Sequence, residues 1–105
     1  MEIIINNQKF NVEVANTFLK RLTGLMFKKN IQKGIIFLKT GSIHTFFMLE
    51  KIDVIRLNKD GFVIYFQKNV KKNSIIIKRK AYYTIELPIN SIHKLNIGDR
   101  IIFKQ

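Results

Sequence analysis

The chain has 105 residues, 47% of them hydrophobic, which is the size of one domain, 1–105, with a core of its own. It contains no cysteine, which excludes disulfide bonds, thiolate metal sites and cysteine nucleophiles. The net charge of +12 permits attraction to nucleic acid or anionic lipid, but most of it comes from scattered lysines, as an AT-rich genome would encode.

The start of the chain predicts neither secretion nor membrane insertion. Met1 leads directly into the strand-like Glu2-Ile3-Ile4-Ile5, without a basic region followed by a longer apolar stretch. No apolar run approaches the roughly 20 residues that a membrane-spanning helix needs. We therefore expect a cytoplasmic protein with no membrane span.

The hydrophobic period changes once in the first third of the chain. Residues 2–6 and 9–14 read as strands on either side of a turn signal, so they predict a hairpin. Apolar residues then recur at helical spacing, which predicts an α-helix near residues 17–26. Gly24 lies near its end. Either the helix ends there, or another backbone passes too close for a Cβ.

The rest of the chain reads as short strands separated by turns. Predicted strands cover 35–38, 44–48, 52–57, 62–67, 75–77, 81–87 and 100–104. Asn58-Lys59-Asp60-Gly61 is a turn signal that predicts an antiparallel hairpin around it. The apolar spacing over 89–95 favours one or two turns of helix. The predicted fold is mainly β, a compact small barrel or sandwich of about 8–9 short strands with one helix.

The residue types capable of chemistry are densest in Ser42-Ile43-His44-Thr45-Phe46-Phe47-Met48, which is followed closely by Asp53. Histidine suits acid–base work, so His44 and Asp53 are the candidate catalytic residues. His44 equally fits a half-buried strand residue with one hydrogen bond, and Asp53 equally fits the cap of a turn. His93 is far from His44 and has no nearby partner, so we predict no metal site and no cofactor.

Glu86 lies between the large apolar residues Ile85 and Leu87, which indicates a partly buried carboxylate. A buried carboxylate needs a partner, and Arg21 on the predicted helix is a candidate because its guanidinium matches carboxylate geometry. Asp99 either caps the turn after Gly98 or joins this group. These residues form the predicted structural polar network: Arg21, Glu86 and Asp99.

Phe46 and Phe47 are adjacent, so on a strand they point to opposite faces. One can be buried while the other lines a surface groove. The predicted ligand-binding residues are His44, Thr45, Phe46, Phe47, Asp53 and Glu86. Signatures of phosphate-binding loops, serine nucleophile elbows and helix-turn-helix modules are missing from the sequence.

Several blocks of the chain occur in the order and spacing of one family: Arg21-Leu-Thr-Gly-Leu-Met26, Ser42 to Met48, Ile52-Asp53-Val54, Asp60-Gly61, Ile85-Glu86-Leu87-Pro88 and Gly98-Asp99. The chain resembles the domain of unknown function 192 family over essentially its whole length. The resemblance implies a compact, mainly β fold and brings no established activity. The family's motif residues carry over as Arg21, Gly24, Met26, His44, Thr45, Met48, Asp53, Glu86, Gly98 and Asp99.

One segment departs from the family pattern. Members often have a basic residue, an aromatic and a proline between the methionine and the Ile-Asp pair, where this chain has Leu49-Glu50-Lys51. If this segment shapes a groove, either the specificity of that groove differs here or the groove is lost.

Four functional interpretations remain open at this point. The first is a non-enzymatic module that binds a small ligand or a protein partner in a groove near Ser42–Met48. The second is an acid–base enzyme, hydrolase-like or otherwise, that uses His44 and Asp53. The third is nucleic-acid binding through the basic surface. In the fourth, the motif only fixes the register of the strands.

Overall fold

The computed structural model describes residues 1–15, 24–25, 31–38, 42–44, 48–77 and 81–104, with 42–44 and 76–77 described by their backbone alone. Its nine strands are β1 (Glu2–Ile5), β2 (Gln8–Val14), β3 (Gly34–Leu38), β4 (Ser42–His44), β5 (Ile52–Leu57), β6 (Val63–Val70), β7 (Ile75–Ile77), β8 (Tyr83–Pro88) and β9 (Ile102–Lys104). The predicted mainly β class is confirmed. The predicted helix lies outside the described residues, apart from Gly24 and Leu25, which form a turn.

Seven strands form one sheet in the order β6-β5-β8-β3-β2-β1-β9, while β4 pairs with β7 separately. Only the β2–β3 pair is parallel among these ladders. An isolated bridge joins Phe62, just before β6, to Arg100, just before β9. Beside it, the Val63 N–H donates to the Asp99 carbonyl at 2.8 Å. Because this bridge links the two outermost strands, the sheet curls into a half-barrel.

Asparagine and glycine set the two hairpins of the sheet. Asn6 and Asn7, with φ of 46° and 70°, form a two-residue turn between paired Ile5 and Gln8. In the β5–β6 turn, Asn58 Oδ1 accepts the N–H groups of Asp60 and Phe62, both at 3.0 Å. Short polar side chains thus fix the register of both hairpins.

The centre of the sheet is buried on both of its faces, and each face has its own apolar cluster. The inner cluster has members on or next to all seven strands, so it fills the concave side of the curl; it contains Ile3, Ile5, Val12, Ile36, Ile55, Leu57, Val63, Ile85, Leu87, Ile92, Leu95 and Ile101. The outer cluster covers the other face of β3, β5 and β6, and it contains Ala15, Leu25, Ile35, Phe37, Met48, Ile52, Val54 and Val70. Every residue of β5 is therefore buried.

Gly34 lies where β3 and β8 leave no room for a side chain. A Cβ at this position would lie 2.6 Å from the Glu86 carbonyl oxygen and 2.6 Å from Leu87 Cδ2. Glycine at the start of β3 therefore allows β8 to pack at this distance.

Several predicted elements differ in the structure. β6 is Val63–Val70 where 62–67 was predicted, β8 is Tyr83–Pro88 where 81–87 was predicted, and β9 is Ile102–Lys104 where 100–104 was predicted. Residues 89–95 contain turns, bends and irregular backbone but no helix, and Asn90 has a φ of 67°, outside the helical range. Of the predicted strand 44–48, residues 45–47 lie outside the described residues; β4 is Ser42–His44, and Met48 is not part of a strand.

Candidate functional site

Asp53 is a fully buried carboxylate that holds two distant segments on the β5 strand. Its Oδ1 accepts the Asn69 N–H at 2.9 Å, and its Oδ2 accepts the Ser91 and Ile92 N–H groups, each at 3.0 Å. Three charge-assisted hydrogen bonds compensate the burial of this group. Of the two roles that the sequence left open for Asp53, this geometry matches the capping of turns.

Glu86 lies on β8, next to Ile35 of β3 and Val54 of β5. Its side chain is 5% exposed, and its carboxylate accepts the Leu25 N–H. Among the described residues, Oε1 has no hydrogen-bond donor. Burial raises the pKa of Glu86 to about 7, against the smaller lowering effect of the Leu25 N–H. A group that titrates near neutral pH is therefore held inside the molecule.

Gly24 closes over the Glu86 carboxylate. A Cβ on Gly24 would lie 3.0 Å from Glu86 Oε1 and 3.0 Å from Phe37 Cζ, and its φ of +53° is one that other residues rarely adopt. Gly24 itself makes a turn, and the helix that was predicted to end there lies outside the described residues. The close neighbours are side chains of the sheet, not the second backbone that was expected at this position.

Two buried polar residues were missed by sequence reasoning. Arg56 and Thr84 are both 0% exposed, and they face each other across β5 and β8. Arg56 follows Ile52 and Val54 at alternate positions, so strand periodicity places all three on one face. This alternation is the signal in the sequence that could have predicted the burial of Arg56.

Thr84, Glu86 and Arg56 form what we call the outer polar group, which lies within the outer cluster. β8 contributes only polar side chains to the middle of this otherwise apolar face. Arg56 and Glu86 are diagonal neighbours, for which Cα separations of roughly 7–8 Å are typical. Burial lowers the pKa of Arg56. Tyr65, which lies opposite Arg56 on β6, has the smaller effect of raising that pKa. An arginine nevertheless stays charged in a protein.

The sheet separates two residues that were predicted to share a groove. Asp53 pairs with Leu87 and bonds to Ile92, so it belongs to the inner face. Glu86 pairs with Val54 and contacts the Gly24–Leu25 turn, so it belongs to the outer face. The structure does not bring these two carboxylates together.

Met48, the last residue of the Ser42–Met48 motif, lies on the outer face. Met48 is 6% exposed and belongs to the outer cluster, together with Leu25 and Phe37. The His44 backbone pairs with Ile75, but its side chain lies outside the description, as do residues 45–47. The predicted roles of His44, Thr45, Phe46 and Phe47 therefore stay predictions.

The other predicted polar residues are dispersed. Asp99 Oδ2 accepts the Asn96 N–H at 2.9 Å within its own turn, as the capping interpretation expects. His93 is exposed. Arg21 lies outside the described residues, so its pairing with Glu86 stays a prediction.

The described side chains form no group of three or more histidine, aspartate or glutamate residues placed to hold a metal ion. Within the same residues, no helix is both long enough and apolar enough to cross a membrane.

The comparison with known families decides the relationship suggested by the motifs. The family model DUF192, described as an uncharacterized ACR, matches residues 1–103. The chain belongs to the DUF192 family. The predicted resemblance is thereby confirmed, and the DUF192 description brings no activity with it.

Archaeal relatives of this chain are named UPF0127 proteins. A Thermococcus kodakarensis protein is 40% identical over 98 residues, covering 86% of this chain and 62% of the relative. A Pyrococcus abyssi protein is 32% identical over 114 residues, covering 96% of this chain and 97% of the relative. The chain thus spans less than two thirds of the Thermococcus protein but nearly all of the Pyrococcus one.

Two crystal structures share the fold of this DUF192 chain. A proposed transcription regulator from Sinorhizobium meliloti has a TM-score of 0.82 and 20% identity, with 96% of this chain and 89% of that protein covered. A protein of unknown function from Novosphingobium aromaticivorans has a TM-score of 0.76 and 18% identity, with 97% and 82% covered. At these identities the likeness concerns the fold alone.

Proposed function

We propose that this DUF192 protein is a non-enzymatic binding module whose ligand site lies on the outer face, around Glu86. The observation that carries the proposal is the buried Glu86 Oε1, which has no donor among the described residues. A buried carboxylate oxygen without a hydrogen bond is costly, so a ligand that supplies an N–H or O–H group gains affinity there.

The surroundings of Glu86 support this assignment. Leu25, Phe37 and Met48 provide apolar surface around a few buried polar groups, which is the usual composition of a small-molecule site. His44, Thr45, Phe46 and Phe47 directly precede Met48 in the chain, and we propose that they line the site from that side. Asp53 acts from the opposite face, where it holds the strand in place.

The Leu25 amide is a direct reporter of the proposed site because it donates to Glu86. We expect methylammonium and acetamide, which are hydrogen-bond donors, to shift the Leu25 amide resonance saturably in ¹⁵N-labelled protein. Acetate, which lacks a donor at neutral pH, should not do so. Such small probes bind in roughly the millimolar range. The Ser91 and Ile92 amides, bonded to Asp53 on the other face, are internal controls.

The Glu86→Gln variant decides whether the response belongs to the site. Its side chain keeps the size but loses the charge, so donor binding should weaken at least several-fold. No saturable shift with either donor, or an equal response in the variant, would contradict the proposal.

Nucleic-acid binding through the basic surface is the second candidate. Lys68, Lys71 and Lys72 are exposed on or just after the edge strand β6, and the pairing of Ile52 with Val70 brings exposed Lys51 beside them. Lysines on an edge strand also prevent edge-to-edge aggregation, which is the competing explanation.

Salt dependence separates these two explanations of the lysines. We expect the affinity for a labelled oligonucleotide to fall steeply between about 50 and 200 mM salt, and the slope to decrease in the double variant Lys71→Gln/Lys72→Gln. The charge-matched control is Lys9→Gln/Lys94→Gln, at exposed positions elsewhere. No binding at low salt, or equal slopes for the two variants, would reject nucleic-acid binding.

The acid–base alternative receives no support from Asp53. Both oxygens of this carboxylate already accept backbone N–H groups, and the side chain is fully buried.

A further inference from the structure

We propose that Glu86 and the Gly24–Leu25 turn form a proton-operated latch over the outer face: the protonated carboxyl keeps the turn closed, and ionisation releases it. The latch rests on the contacts of Glu86 and on the effect of burial on its ionisation, and it needs no ligand. Its use in admitting a ligand rests on the proposed function.

The described contacts between this turn and the sheet are made by Gly24 and Leu25. Leu25 donates its N–H to Glu86 and buries its side chain, 2% exposed, in the outer cluster. Gly24 lies against Oε1, where a Cβ would come within 3.0 Å. The closed turn therefore excludes water from the one carboxylate oxygen that has no described donor.

The groups that face Glu86 from the described neighbouring elements are mostly uncharged. On β5, Val54 lies directly opposite and Arg56 is diagonal to it, while Tyr65 is one strand further away. β3 faces it with Ile35 and Phe37, and neither Gly24, Leu25 nor Met48 carries a charge. Thr84 is its polar neighbour on β8. Arg21, the cation that we predicted as the partner of Glu86, lies outside the described residues.

The balance of effects gives the direction of the latch. The hydrogen bond from Leu25 favours the ionised form, but burial outweighs it, since the pKa of Glu86 is raised to about 7. Above that pH the charged carboxylate is stabilised by water, which reaches Oε1 when the Gly24–Leu25 turn lifts away from it. Below it, the neutral carboxyl tolerates the closed turn.

Hydrogen exchange of the Leu25 amide tests the latch without any ligand. If the carboxyl has a pKa of about 7 when the turn is closed and 4.5 when it is open, proton linkage predicts an opening constant about 30-fold larger at pH 8.5 than at pH 5.5. The protection factor of Leu25, corrected for intrinsic exchange, should fall by that factor. In Glu86→Gln it should stay constant.

Glu50→Gln is the matched control, because Glu50 Oε1 also accepts one backbone N–H, that of Ile31 at 3.2 Å, in a half-exposed position. This variant should keep the pH response of Leu25. Constant protection in the wild type, or an equal fall in Glu86→Gln, would overturn the latch. Absence of donor binding with an intact Leu25 response would remove the proposed ligand site and leave the latch standing.

Discussion

Replacing Asp53 by Asn is expected to lower the free energy of unfolding by about 3–5 kcal/mol. The side chain is fully buried, and its two oxygens accept three backbone N–H groups, from Asn69, Ser91 and Ile92. Asparagine has nearly the same size but must turn its NH₂ toward at least one of these donors. The backbone N–H left without an acceptor is buried, so its desolvation is not compensated.

Chemical denaturation followed by circular dichroism measures this effect. The matched control is Asp99→Asn, because Asp99 accepts a single N–H, from Asn96, in a half-exposed turn. The control should cost no more than about 1 kcal/mol, as for an exposed cap. If the free energy of unfolding fell by the same small amount in both variants, Asp53 would not hold the two distant segments on β5.

Replacing Glu86 by Gln is expected to stabilise the protein at pH 8 by roughly 3 kcal/mol and to have little effect near pH 4. The folded pKa of Glu86, about 7, is above the reference value of 4.5. Between these values the folded state holds more protons than the unfolded one. Stability therefore falls as pH rises through this range, and the full penalty applies above pH 7. Glutamine is neutral throughout, so it removes the penalty.

Denaturation of both proteins at several pH values between about 4 and 8 checks this prediction. The difference between wild type and variant should grow with pH and level off above pH 7. The Glu50→Gln variant should follow the wild type, because Glu50 is half-exposed. An ion pair between Arg21 and Glu86 would give the opposite sign, with the variant less stable than the wild type at pH 8.

Local sequence signals predicted the hairpins well. Asn58 to Gly61 forms the expected turn, and β5 was predicted with its observed bounds. The helical turns predicted over 89–95 are wrong: Asn90 has a φ of 67°, and the Ser91 and Ile92 amides bond to Asp53, far away in the sequence. Apolar spacing carries no information about such a partner.

The predicted site shows the same limit. Burial of Glu86 was foreseen from its two apolar neighbours, but the sheet register that separates it from Asp53 was not. That separation depends on the pairing of β8 between β3 and β5, which are distant in sequence. Strand alternation predicts that Arg56 and Val54 lie on the same face of β5. Only the fold shows that this face is buried.

The pairing of β1 with β9 has a kinetic consequence. Ile3 is opposite Phe103, and β8 inserts between β3 and β5, so most neighbours in the sheet meet only after long segments of chain have been closed. The two tight hairpins can form early because their loops are short. Completion of the half-barrel requires the ordering of nearly the whole chain, which is typical of β proteins that fold in roughly milliseconds to seconds.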